Sequence, residues 1–439
     1  MEPKTIAFHH FGCKVNFAEA SSLAKQFRER GYEMIDYRDK ADIYVISSCV
    51  VTATAEKKCR AAIRQAHKLN PDARIAVIGC FPELKYDEVA EMDDVDIVLG
   101  HSSKFNLLEE IENQGSKFKG QDSRLNIQHP AASIEHRATS NEFIPSYSSG
   151  DRTRSFLKIQ DGCDYHCAYC AIPLARGNSR SDTIEHILEE ARFIVDSGIN
   201  EIILTGVNIG DFGKHSGETF LELLKSMEKE IPIPRIRISS IEPDLLSNEI
   251  IELVVSSKKI LPHFHIPLQS GSDKILQAMK RKYKRNLYVD RVGKIRSLLP
   301  YACIASDVIV GFPGETGGDF RETVDFLQHL PVSYLHVFSY SRRENTLAAN
   351  VINTIPGSER KRRSELLHQL SDQKKRDFYN LNRGRNVNIL FESDNKNGYM
   401  HGFTENYIKV KTPFDAELVN TIQQVKLDTL EDMTYVVSW

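Results

Sequence analysis

Short apolar runs alternate with amphipathic segments along the first 113 residues. Buried strands are predicted by the runs TIAFHHF (5–11), IYVISS (43–48), RIAVIG (74–79) and DIVLG (96–100). The segments that follow these runs predict helices at 17–31, 54–69, 83–91 and 103–113. Continuous apolar strands that alternate with helices are typical of parallel sheets covered on both faces. The pattern therefore predicts an α/β domain with a doubly wound parallel sheet.

A second series of strand and helix patterns runs from residue 154 to residue 343. Its strands, some with the loop that follows them, are predicted at 154–160, 201–213, 235–240, 263–271, 303–316 and 334–343. Helical patterns separate them, so the series has six βα units. Six such units indicate an open, partial (β/α)6 barrel whose functional residues lie at the carboxyl ends of the strands.

The remaining segments complete a three-domain prediction. Residues 114–150 are polar with scattered Gly, Ser, Asn and Pro, which is typical of a linker. From residue 383 onward, short strand patterns with turns predict a small β-barrel. We therefore expect an N-terminal domain at 1–140, a barrel at 149–376 and a C-terminal domain at 377–439.

Composition and charge are those of an ordinary globular protein. Of the 439 residues, 41% are hydrophobic and 27% are charged, and the formal net charge is only −3. Overall charge therefore does not favour a nucleic-acid partner. No apolar run is long enough to span a bilayer, and the N-terminus lacks the basic region and the cleavage site of a signal peptide. We expect a cytoplasmic protein with no membrane partner.

Eight cysteines in a chain of this kind favour metal or redox chemistry over disulfides. Cys59 lies in a predicted helix and Cys303 in an apolar strand, and we interpret both as structural, because free cysteine is commonly a small core residue. The other six cysteines form two sets of three.

The first set is Cys163, Cys167 and Cys170 in the stretch DGCDYHCAYC, with the spacing C-x3-C-x2-C. An odd number of thiols does not make a disulfide framework, and a closed zinc site needs four ligands. Three thiolates suit a [4Fe–4S] cluster whose fourth iron is open to a small chelating molecule. The alternatives are a Cys3His zinc site that uses His166, or a loop of spare thiols.

The second set is Cys13, Cys49 and Cys80, each of which directly follows or closely follows a predicted strand. The carboxyl ends of parallel strands lie at one edge of a sheet, so these cysteines are expected to meet. They would then form a second three-thiolate cluster site. Gly12 and Gly79 directly precede two of them and would let the backbone approach a cluster closely. The alternative is three unrelated buried cysteines.

Polar residues follow the strands of the predicted barrel. Each of these residues alone is weak evidence for a binding site, because a Gly-rich loop is more often only a turn. Their corresponding positions in successive units predict a site for a polar, nucleoside-like cofactor. The ring contains Thr205, Gly206, Val207, Asn208, Ser239, Ser240, Glu242, Gln269, Ser270, Asp307 and Gly311. Tyr169, between two cysteines, is a candidate for stacking on a purine.

These motifs resemble the radical S-adenosylmethionine superfamily. The cysteines at 13, 49 and 80 narrow the resemblance to the methylthiotransferases, and it covers nearly the whole chain. Four segments of the sequence are most similar to the MtaB branch. They are GCKVNFAEA (12–20), FLKIQDGCDYHCAYCAIPLARGNSRS (156–181), LTGVNIGDFG (204–213) and VIVGFPGET (308–316).

The resemblance implies a transferase that converts N6-threonylcarbamoyladenosine at position 37 of tRNA into its 2-methylthio derivative. It implies two [4Fe–4S] clusters, held by the two sets of three cysteines, which are then catalytic residues as well as metal ligands. It also implies S-adenosylmethionine, for which the expected contacts are Tyr169, Gly206, Asn208, Ser239, Ser240, Gln269 and Asp307. An electron donor such as flavodoxin or ferredoxin is expected.

The C-terminal domain resembles the TRAM domain, an RNA-binding module. Basic runs at 279–285 and 358–376 favour RNA, and the expected partner is the anticodon stem-loop of tRNA. Arg383, Arg385, Lys409 and Lys411 are candidate phosphate contacts. Candidates for the carboxylate of the threonylcarbamoyl group are Arg176, Arg342 and Arg343. The protein is expected to act as a monomer.

Other functions remain open on the sequence alone. A methylthiotransferase for isopentenyladenosine in tRNA, or for a ribosomal protein, would share both clusters. The residues Lys14-Val15-Asn16, which follow Cys13, argue against these branches, because the branches differ from this chain at that point. A non-catalytic iron–sulfur protein that binds RNA is a further alternative, but it would not need six cofactor-type strand ends.

Overall fold

The computed structural model describes residues 4–50, 53–113, 142–150 and 153–437. They form two compact units. The first contains the described residues up to Ser149 together with Asp161–Asp164 and Ala171–Arg180, and the second contains the rest. Most of the predicted linker at 114–150 lies outside the described residues. The three predicted domain boundaries stay predictions.

A parallel sheet is the framework of the first unit. In its described part, the sheet has five strands in the spatial order β2-β1-β3-β4-β5. All their pairings are parallel. The strands are β1 (Thr5–His10), β2 (Glu33–Met34), β3 (Ile43–Ser48), β4 (Arg74–Gly79) and β5 (Ile97–Leu99). The pattern predicted four of them and missed the two-residue β2.

Helices cover both faces of this sheet. Tyr44 and Ile46 of β3 pack into one hydrophobic cluster, and the alternate residues Ile43 and Val45 pack into another. This two-sided burial confirms the doubly wound arrangement. The helix predicted at 83–91 is divided at Lys85, whose φ of −138° is not helical. The helices are α1 (Lys14–Glu29), α2 (Ala53–Leu69), α3 (Cys80–Leu84), α4 (Tyr86–Ala90) and α5 (Leu107–Asn113), with a 3-10 turn at Lys104–Asn106.

The second unit begins with the six predicted barrel strands. They pair in parallel and in chain order, as two groups of three. The bridges Ile236–Ile260 and Ser240–His265 connect the groups. The open (β/α)6 arrangement is therefore confirmed. The strands are β6 (Arg154–Lys158), β7 (Glu201–Thr205), β8 (Arg235–Ile238), β9 (His263–His265), β10 (Cys303–Val310) and β11 (Tyr334–Ser339).

Most of the barrel helices begin where the sequence supplies a cap. Thr183, Thr219, Ser247 and Thr316 each accept a hydrogen bond from the backbone N–H three residues later. This contact satisfies one of the free N–H groups of the first turn. The helices are α7 (Ile184–Asp196), α8 (Phe220–Glu230), α9 (Asn248–Ser256), α10 (Asp273–Ala278), α11 (Arg285–Leu298) and α12 (Gly317–His329). A shorter helix, α6 (Ile172–Arg176), belongs to the first unit.

The C-terminal part of the second unit is rich in strands. Helix α13 (Gly357–Leu381) leads into it, and the buried Phe378 and Tyr379 share a hydrophobic cluster with the barrel residue Cys303. The described pairings run from one edge strand to another, so closure into a small barrel stays a prediction. The strands are β12 (Asn386–Phe391), β13 (Tyr399–Thr404), β14 (Lys409–Pro413), β15 (Ile422–Lys426), β16 (Thr429–Glu431) and β17 (Thr434–Val436). No described helix is both long and apolar enough to cross a bilayer.

Candidate functional site

Three cysteines lie at the carboxyl ends of strands in the first unit. Cys13 is the residue before α1, Cys49 directly follows β3, and Cys80 directly follows β4. The strands β1, β3 and β4 are neighbours in the sheet. The chain crosses from one side of β1 to the other at this point, which is where ligands bind in open α/β sheets.

Glycines bring the backbone close to these cysteines. Gly12 has a φ of +104°, and a Cβ atom on it would lie 2.5 Å from Cβ of Cys49 and 2.7 Å from its Sγ. Gly79 has a φ of +102°, and a Cβ atom there would lie 3.0 Å from the carbonyl oxygen of Ser48. A side chain at either glycine would be strained, so only glycine suits both positions.

The charges around Cys80 are unusual for a buried thiol. Burial raises its pKa, and the positive charges of Arg176 and Lys104 oppose that increase. A charge on Cys13 raises the pKa of Cys80 further. Both cationic side chains are themselves almost completely buried.

Arg176 is held by three polar side chains. Its guanidinium donates hydrogen bonds to Glu19 Oε2 at 3.0 Å, to Asp161 Oδ1 at 2.8 Å, and to the side-chain oxygen of Asn16. Lys104 Nζ donates to Glu19 Oε2 at 2.6 Å. The candidate role of Arg176 as a substrate contact stays a prediction. In this structure its guanidinium is enclosed and already faces two carboxylates.

His101 belongs to the same buried network and is neutral. Lys104 Nζ lies 3.0 Å from its Nδ1, and Asp161 Oδ2 lies 3.2 Å from its Nε2. Burial, together with the charges of Lys104 and Arg176, lowers the pKa of His101 to about 4. Glu19, His101 and Asp161 place their donor atoms close together, as metal ligands do. The cations of Lys104, Arg176 and Arg180 already supply the positive charge that a metal ion would bring to these groups.

The first cysteine of DGCDYHCAYC sits in a tightly constrained turn of the first unit. The N–H of Cys163 donates to the carbonyl oxygen of Gly177 at 3.0 Å. Gly162 has a φ of +68°, and a Cβ atom there would lie 1.9 Å from the carbonyl oxygen of Asn178. Asp164 Oδ1 accepts a hydrogen bond from the N–H of Ser179 at 2.9 Å. The segment after the motif therefore fixes the backbone around Cys163.

Arg281 accompanies the other two cysteines of this motif in the second unit. Its Nη1 lies 3.2 Å from Cys167 Sγ and 3.4 Å from the hydroxyl of Tyr169. Its Nη2 forms an ion pair with Glu242. Burial raises the pKa of Glu242 to about 7, and the charge of Arg281 opposes that increase. Sequence reasoning did not identify Arg281 as part of the site.

The basic run at 279–285 supports the cysteine loop as well. The N–H of Ala168 donates to the carbonyl oxygen of Met279 at 3.0 Å. The Tyr283 hydroxyl is buried and donates to the carbonyl oxygens of Pro267 and Leu268 at 2.7 and 2.9 Å. At least part of this run therefore packs inside the second unit instead of facing solvent as an RNA contact.

The predicted cofactor residues after β7 lie in a close-packed turn. A Cβ atom on Gly206 would lie 2.9 Å from both oxygen atoms of Gln160. The N–H of Asn208 donates to Gln160 Oε1 at 2.7 Å, and its side-chain nitrogen donates to Asp211 Oδ2 at 2.8 Å. The Asn208 Oδ1 atom is buried and accepts no hydrogen bond from the described residues. It is an acceptor available to a bound polar molecule.

The other predicted cofactor residues follow or end their strands as expected. Ser239 is buried, and Ser240 forms the bridge to His265. Gln269 has a φ of +69°, a conformation that is rare for residues other than glycine, and it bridges to β10. Asp307 Oδ1 lies 2.6 Å from His265 Nε2. Their role as cofactor contacts stays a prediction.

Three of the four candidate RNA and substrate arginines of the second unit contact other residues of the protein. Arg342 is exposed, whereas Arg343 is buried and donates to Ser341 Oγ at 3.0 Å. Arg383 Nε donates to the carbonyl oxygen of Asp428 at 3.2 Å. Arg385 donates to Asn382 Oδ1 at 2.7 Å and lies over the ring of Tyr301. Their contacts with tRNA stay predictions.

Two family models match the chain. The model described as the radical SAM superfamily matches residues 157–327. The model described as uncharacterized protein family UPF0004 matches residues 5–100. The first match contains the DGCDYHCAYC motif and most of the barrel, and the second contains all three strand-end cysteines.

Relatives match over nearly the whole length. The chain is 37% identical to the threonylcarbamoyladenosine tRNA methylthiotransferase MtaB of Bacillus subtilis, with 96% of this chain and 93% of the relative covered. The chain belongs to the MtaB methylthiotransferase family. An MtaB protein from Aquifex aeolicus is 35% identical, with 92% of this chain and 96% of the relative covered. A tRNA-2-methylthio-N(6)-dimethylallyladenosine synthase of Koribacter versatilis is 31% identical, with 90% and 88% covered.

A solved structure shares the fold. The radical S-adenosylmethionine methyltransferase TsrM from Kitasatospora setae aligns with a TM-score of 0.54 at 14% identity, covering 79% of this chain and 77% of that one. This likeness concerns the fold alone. Membership of the radical SAM superfamily implies a [4Fe–4S] cluster and S-adenosylmethionine as cofactors.

Proposed function

We propose that the protein is a tRNA methylthiotransferase that converts N6-threonylcarbamoyladenosine at position 37 into its 2-methylthio derivative. The observation that carries this proposal is the 37% identity with a relative of that activity, over 96% of the chain. The dimethylallyladenosine alternative is less well supported, because relatives named for it are 29–33% identical, below the 37% of the MtaB relative. A non-catalytic RNA-binding role would leave the superfamily match across the barrel unexplained.

A second [4Fe–4S] cluster at Cys13, Cys49 and Cys80 is part of the proposal. The residues fit such a group: three thiols end neighbouring strands, and two glycines with positive φ leave room beside them. Burial raises the pKa of Cys80, and the buried positive charges of Arg176 and Lys104 oppose that increase. When bound, the two clusters and S-adenosylmethionine supply the electron, the hydrogen-abstracting radical, the sulfur and the methyl group.

The second unit would bind S-adenosylmethionine through its strand ends. The buried Asn208 Oδ1, which lacks a donor among the described residues, suits an N–H or O–H group of a nucleoside. Tyr169 presents an aromatic ring between two cysteine ligands, and Arg281 orients its hydroxyl. These groups hold and orient the cofactor and exclude water, which is the contribution expected of the protein in such reactions.

Binding of tRNA is assigned to the C-terminal strands. Arg383, Arg385, Lys409 and Lys411 are the proposed phosphate contacts, and unpaired anticodon-loop bases are more accessible than bases in a duplex. Extrusion of the target base would cost a few kcal/mol. A flavodoxin or ferredoxin as electron donor, a monomeric state and a cytoplasmic location belong to the same proposal.

Mass spectrometry of tRNA nucleosides tests the function. Anaerobically reconstituted protein, S-adenosylmethionine, a reductant and tRNA that carries N6-threonylcarbamoyladenosine should yield the 2-methylthio nucleoside. tRNA that carries isopentenyladenosine should give no product. Product only from the isopentenyl substrate, or from neither tRNA, would overturn the proposal.

Cysteine variants test the roles of the two cysteine sets. Cys163→Ala should abolish reductive cleavage of S-adenosylmethionine. Cys49→Ala should retain cleavage but lose sulfur insertion, with about four irons per chain in place of about eight. Cys59→Ala is the matched control, because Cys59 is a buried cysteine of the same unit that packs in a hydrophobic cluster. If Cys49→Ala still methylthiolated tRNA at the normal rate, the second cluster would have no such role.

A further inference from the structure

We propose that Arg176 and Lys104 are positioning residues that set the reduction potential of the cluster bound by Cys13, Cys49 and Cys80. Their positive charges are buried in a network next to helix α6, which packs against Cys80, and positive charge there favours the more negative, reduced state of the cluster. This inference rests on the proposed second cluster. It adds to that proposal a function for the buried ion network of the first unit.

The network is closed to solvent and rigidly connected. Arg176, Lys104, Glu19 and Asp161 are each no more than 2% exposed. Arg176 contacts both carboxylates, Lys104 contacts Glu19, and Arg180 Nη2 donates to Asp161 Oδ2 at 3.1 Å. Such enclosed pairs are weakly screened, so their charges act over several ångströms.

The enclosed charges balance one another, and Arg180 adds a cation at the margin. Arg176 and Lys104 are cationic and Glu19 and Asp161 are anionic, so the four enclosed side chains sum to zero. Arg180, whose side chain is 12% exposed, pairs with Asp161 as well. Metal-bound thiolates would add negative charge beside this network, because cysteine ligands lose their protons on binding.

Helix α6 places the charge of Arg176 close to Cys80. Ala175 packs against Cys80 and Val50 in a hydrophobic cluster, and Arg176 is the next residue. The Arg176 side chain is fully buried, so its charge stays within the packing around this cysteine.

Hydrogen bonds connect the same guanidinium to residues near Cys13, Cys49 and Cys163. Asn16, which accepts a hydrogen bond from Arg176, donates through its Nδ2 to the carbonyl oxygens of Ser48 at 2.8 Å and Phe11 at 3.1 Å. These carbonyls lie directly before Cys49 and two residues before Cys13. Asp161, the other partner, lies two residues before Cys163. Arg176 therefore helps to position the backbone near these cysteines, in addition to supplying charge.

A redox titration of the second cluster tests the inference. The background is the full chain with Cys163→Ala, Cys167→Ala and Cys170→Ala, which leaves only the strand-end ligands. In this background, Arg176→Gln should lower the equilibrium constant for one-electron reduction about tenfold, a shift of about −59 mV. Glu19→Gln removes a negative charge and should shift the potential in the opposite direction. Electron paramagnetic resonance follows the reduced cluster.

Charge-matched variants separate an electrostatic role from a structural one. Arg176→Lys should keep the potential near that of the background, and so should Arg176→Gln combined with Glu19→Gln. Lys104→Met provides a second test if Arg176→Gln does not fold. Arg192→Gln is the surface control, since Arg192 is half-exposed and pairs with Glu230.

Two failures are distinguishable. If the background binds no iron, the second cluster itself is absent and the proposed function fails. If the background binds about four irons but Arg176→Gln, Lys104→Met and Glu19→Gln all keep its potential, the inference is overturned while the cluster stands. Shifts of the same sign for Arg176→Gln and Glu19→Gln would also overturn it, because only an electrostatic role predicts opposite signs.

Discussion

Arg281 Nη1 lies 3.2 Å from Cys167 Sγ, and Nη2 of the same guanidinium forms an ion pair with Glu242. Arg281 is buried, with only 3% of its side chain exposed, and Glu242 is 16% exposed. One cation therefore contacts a cysteine sulfur and a carboxylate at the same time. Removal of Arg281 would leave the partly buried Glu242 without this ion-pair partner.

Arg281→Met should lower the free energy of unfolding by roughly 3 kcal/mol, because it leaves the partly buried Glu242 carboxylate without its cation. Glu242 already has a pKa raised to about 7, with burial as the largest cause. A raised carboxyl pKa in the folded state means that stability falls as pH rises above the unfolded value. Without Arg281 the pKa of Glu242 rises further. The variant should therefore lose more unfolding free energy, relative to the parent protein, at pH 8 than at pH 6. Anaerobic denaturant unfolding at both pH values measures it.

The double variant Arg281→Met/Glu242→Gln is the check on this explanation. It removes the stranded charge, so it should recover much of the lost stability and most of the pH dependence. If the double variant is as unstable as Arg281→Met at pH 8, the loss arises from packing around Cys167 and Tyr169 instead.

Gly12→Ala should prevent assembly of the second cluster. The new Cβ atom would adopt a strained backbone conformation and lie 2.5 Å from Cβ of Cys49. The strain alone costs about 1–2 kcal/mol, but the clash must also displace a ligand. We expect iron content to fall from about eight to about four per chain, with cleavage of S-adenosylmethionine retained.

Gly31→Ala is the matched control for Gly12→Ala. Gly31 also has a positive φ, of +85°, but nothing lies within 4 Å of an added Cβ atom. It should show the same backbone strain with its full iron content. Equal iron contents in the two alanine variants would mean that the approach of Gly12 to Cys49 is not required for the cluster.

Local pattern was sufficient for the parts of the fold that depend on local sequence. In β3, a continuous apolar run predicted a strand buried on both faces, and Tyr44 and Val45 do pack on opposite sides of the sheet. The same reasoning placed Cys13, Cys49 and Cys80 at one sheet edge, because parallel strands fix where their ends lie. Strand β2 and helices α6 and α10 were missed, since two to six residues show no measurable periodicity.

Long-range contacts account for what the sequence did not reveal. Glu19, Lys104 and Arg176 are far apart in the chain, and nothing local distinguishes them from surface charges. Arg281 was hidden inside the basic run MKRKYKR, which has the composition of a solvated face. Its burial beside Cys167 depends on how residues 279–285 pack beneath the loop. The one available signal was Tyr283 in that run, since an aromatic residue among cations often marks a packed segment.

Glu201→Gln should destabilise the second unit by about 3 kcal/mol or more. Glu201 is fully buried, and its two oxygens each lie 2.8 Å from a guanidinium nitrogen, of Arg235 and Arg237 respectively. Burial opposes ionisation, but the two arginines prevail and lower its pKa to about 2. A lowered carboxyl pKa stabilises the fold above about pH 4.5, and this stability is lost only as pH falls toward 2. Denaturant unfolding should therefore show the same difference in unfolding free energy between the variant and the parent protein at pH 6 and pH 8.

Arg235 and Arg237 also donate to backbone carbonyls of the C-terminal part, at Thr404 and Glu405. Glu201→Gln should consequently increase proteolysis or hydrogen exchange around residues 403–407 before the barrel strands open. Uniform exchange across the second unit would contradict the idea that Glu201 fixes these arginines for that contact.

Arg383→Gln combined with Lys409→Gln should weaken tRNA binding without changing the chemistry. Arg383 is exposed and Lys409 is half-buried, and both lie in the part of the chain assigned to tRNA. Removing each phosphate-binding cation should reduce the slope of log K against log salt by about 1. We expect KM for tRNA to rise about tenfold at low salt, while kcat at saturating tRNA and cleavage of S-adenosylmethionine stay unchanged. Filter binding across a salt series and steady-state kinetics measure these quantities.

Arg192→Gln is the control, because it removes a cation from helix α7 of the same unit and should leave the salt slope unaltered. A slope that falls equally in both variant proteins would indicate a general effect of charge. Arg383 and Lys409 would then not belong to the tRNA interface.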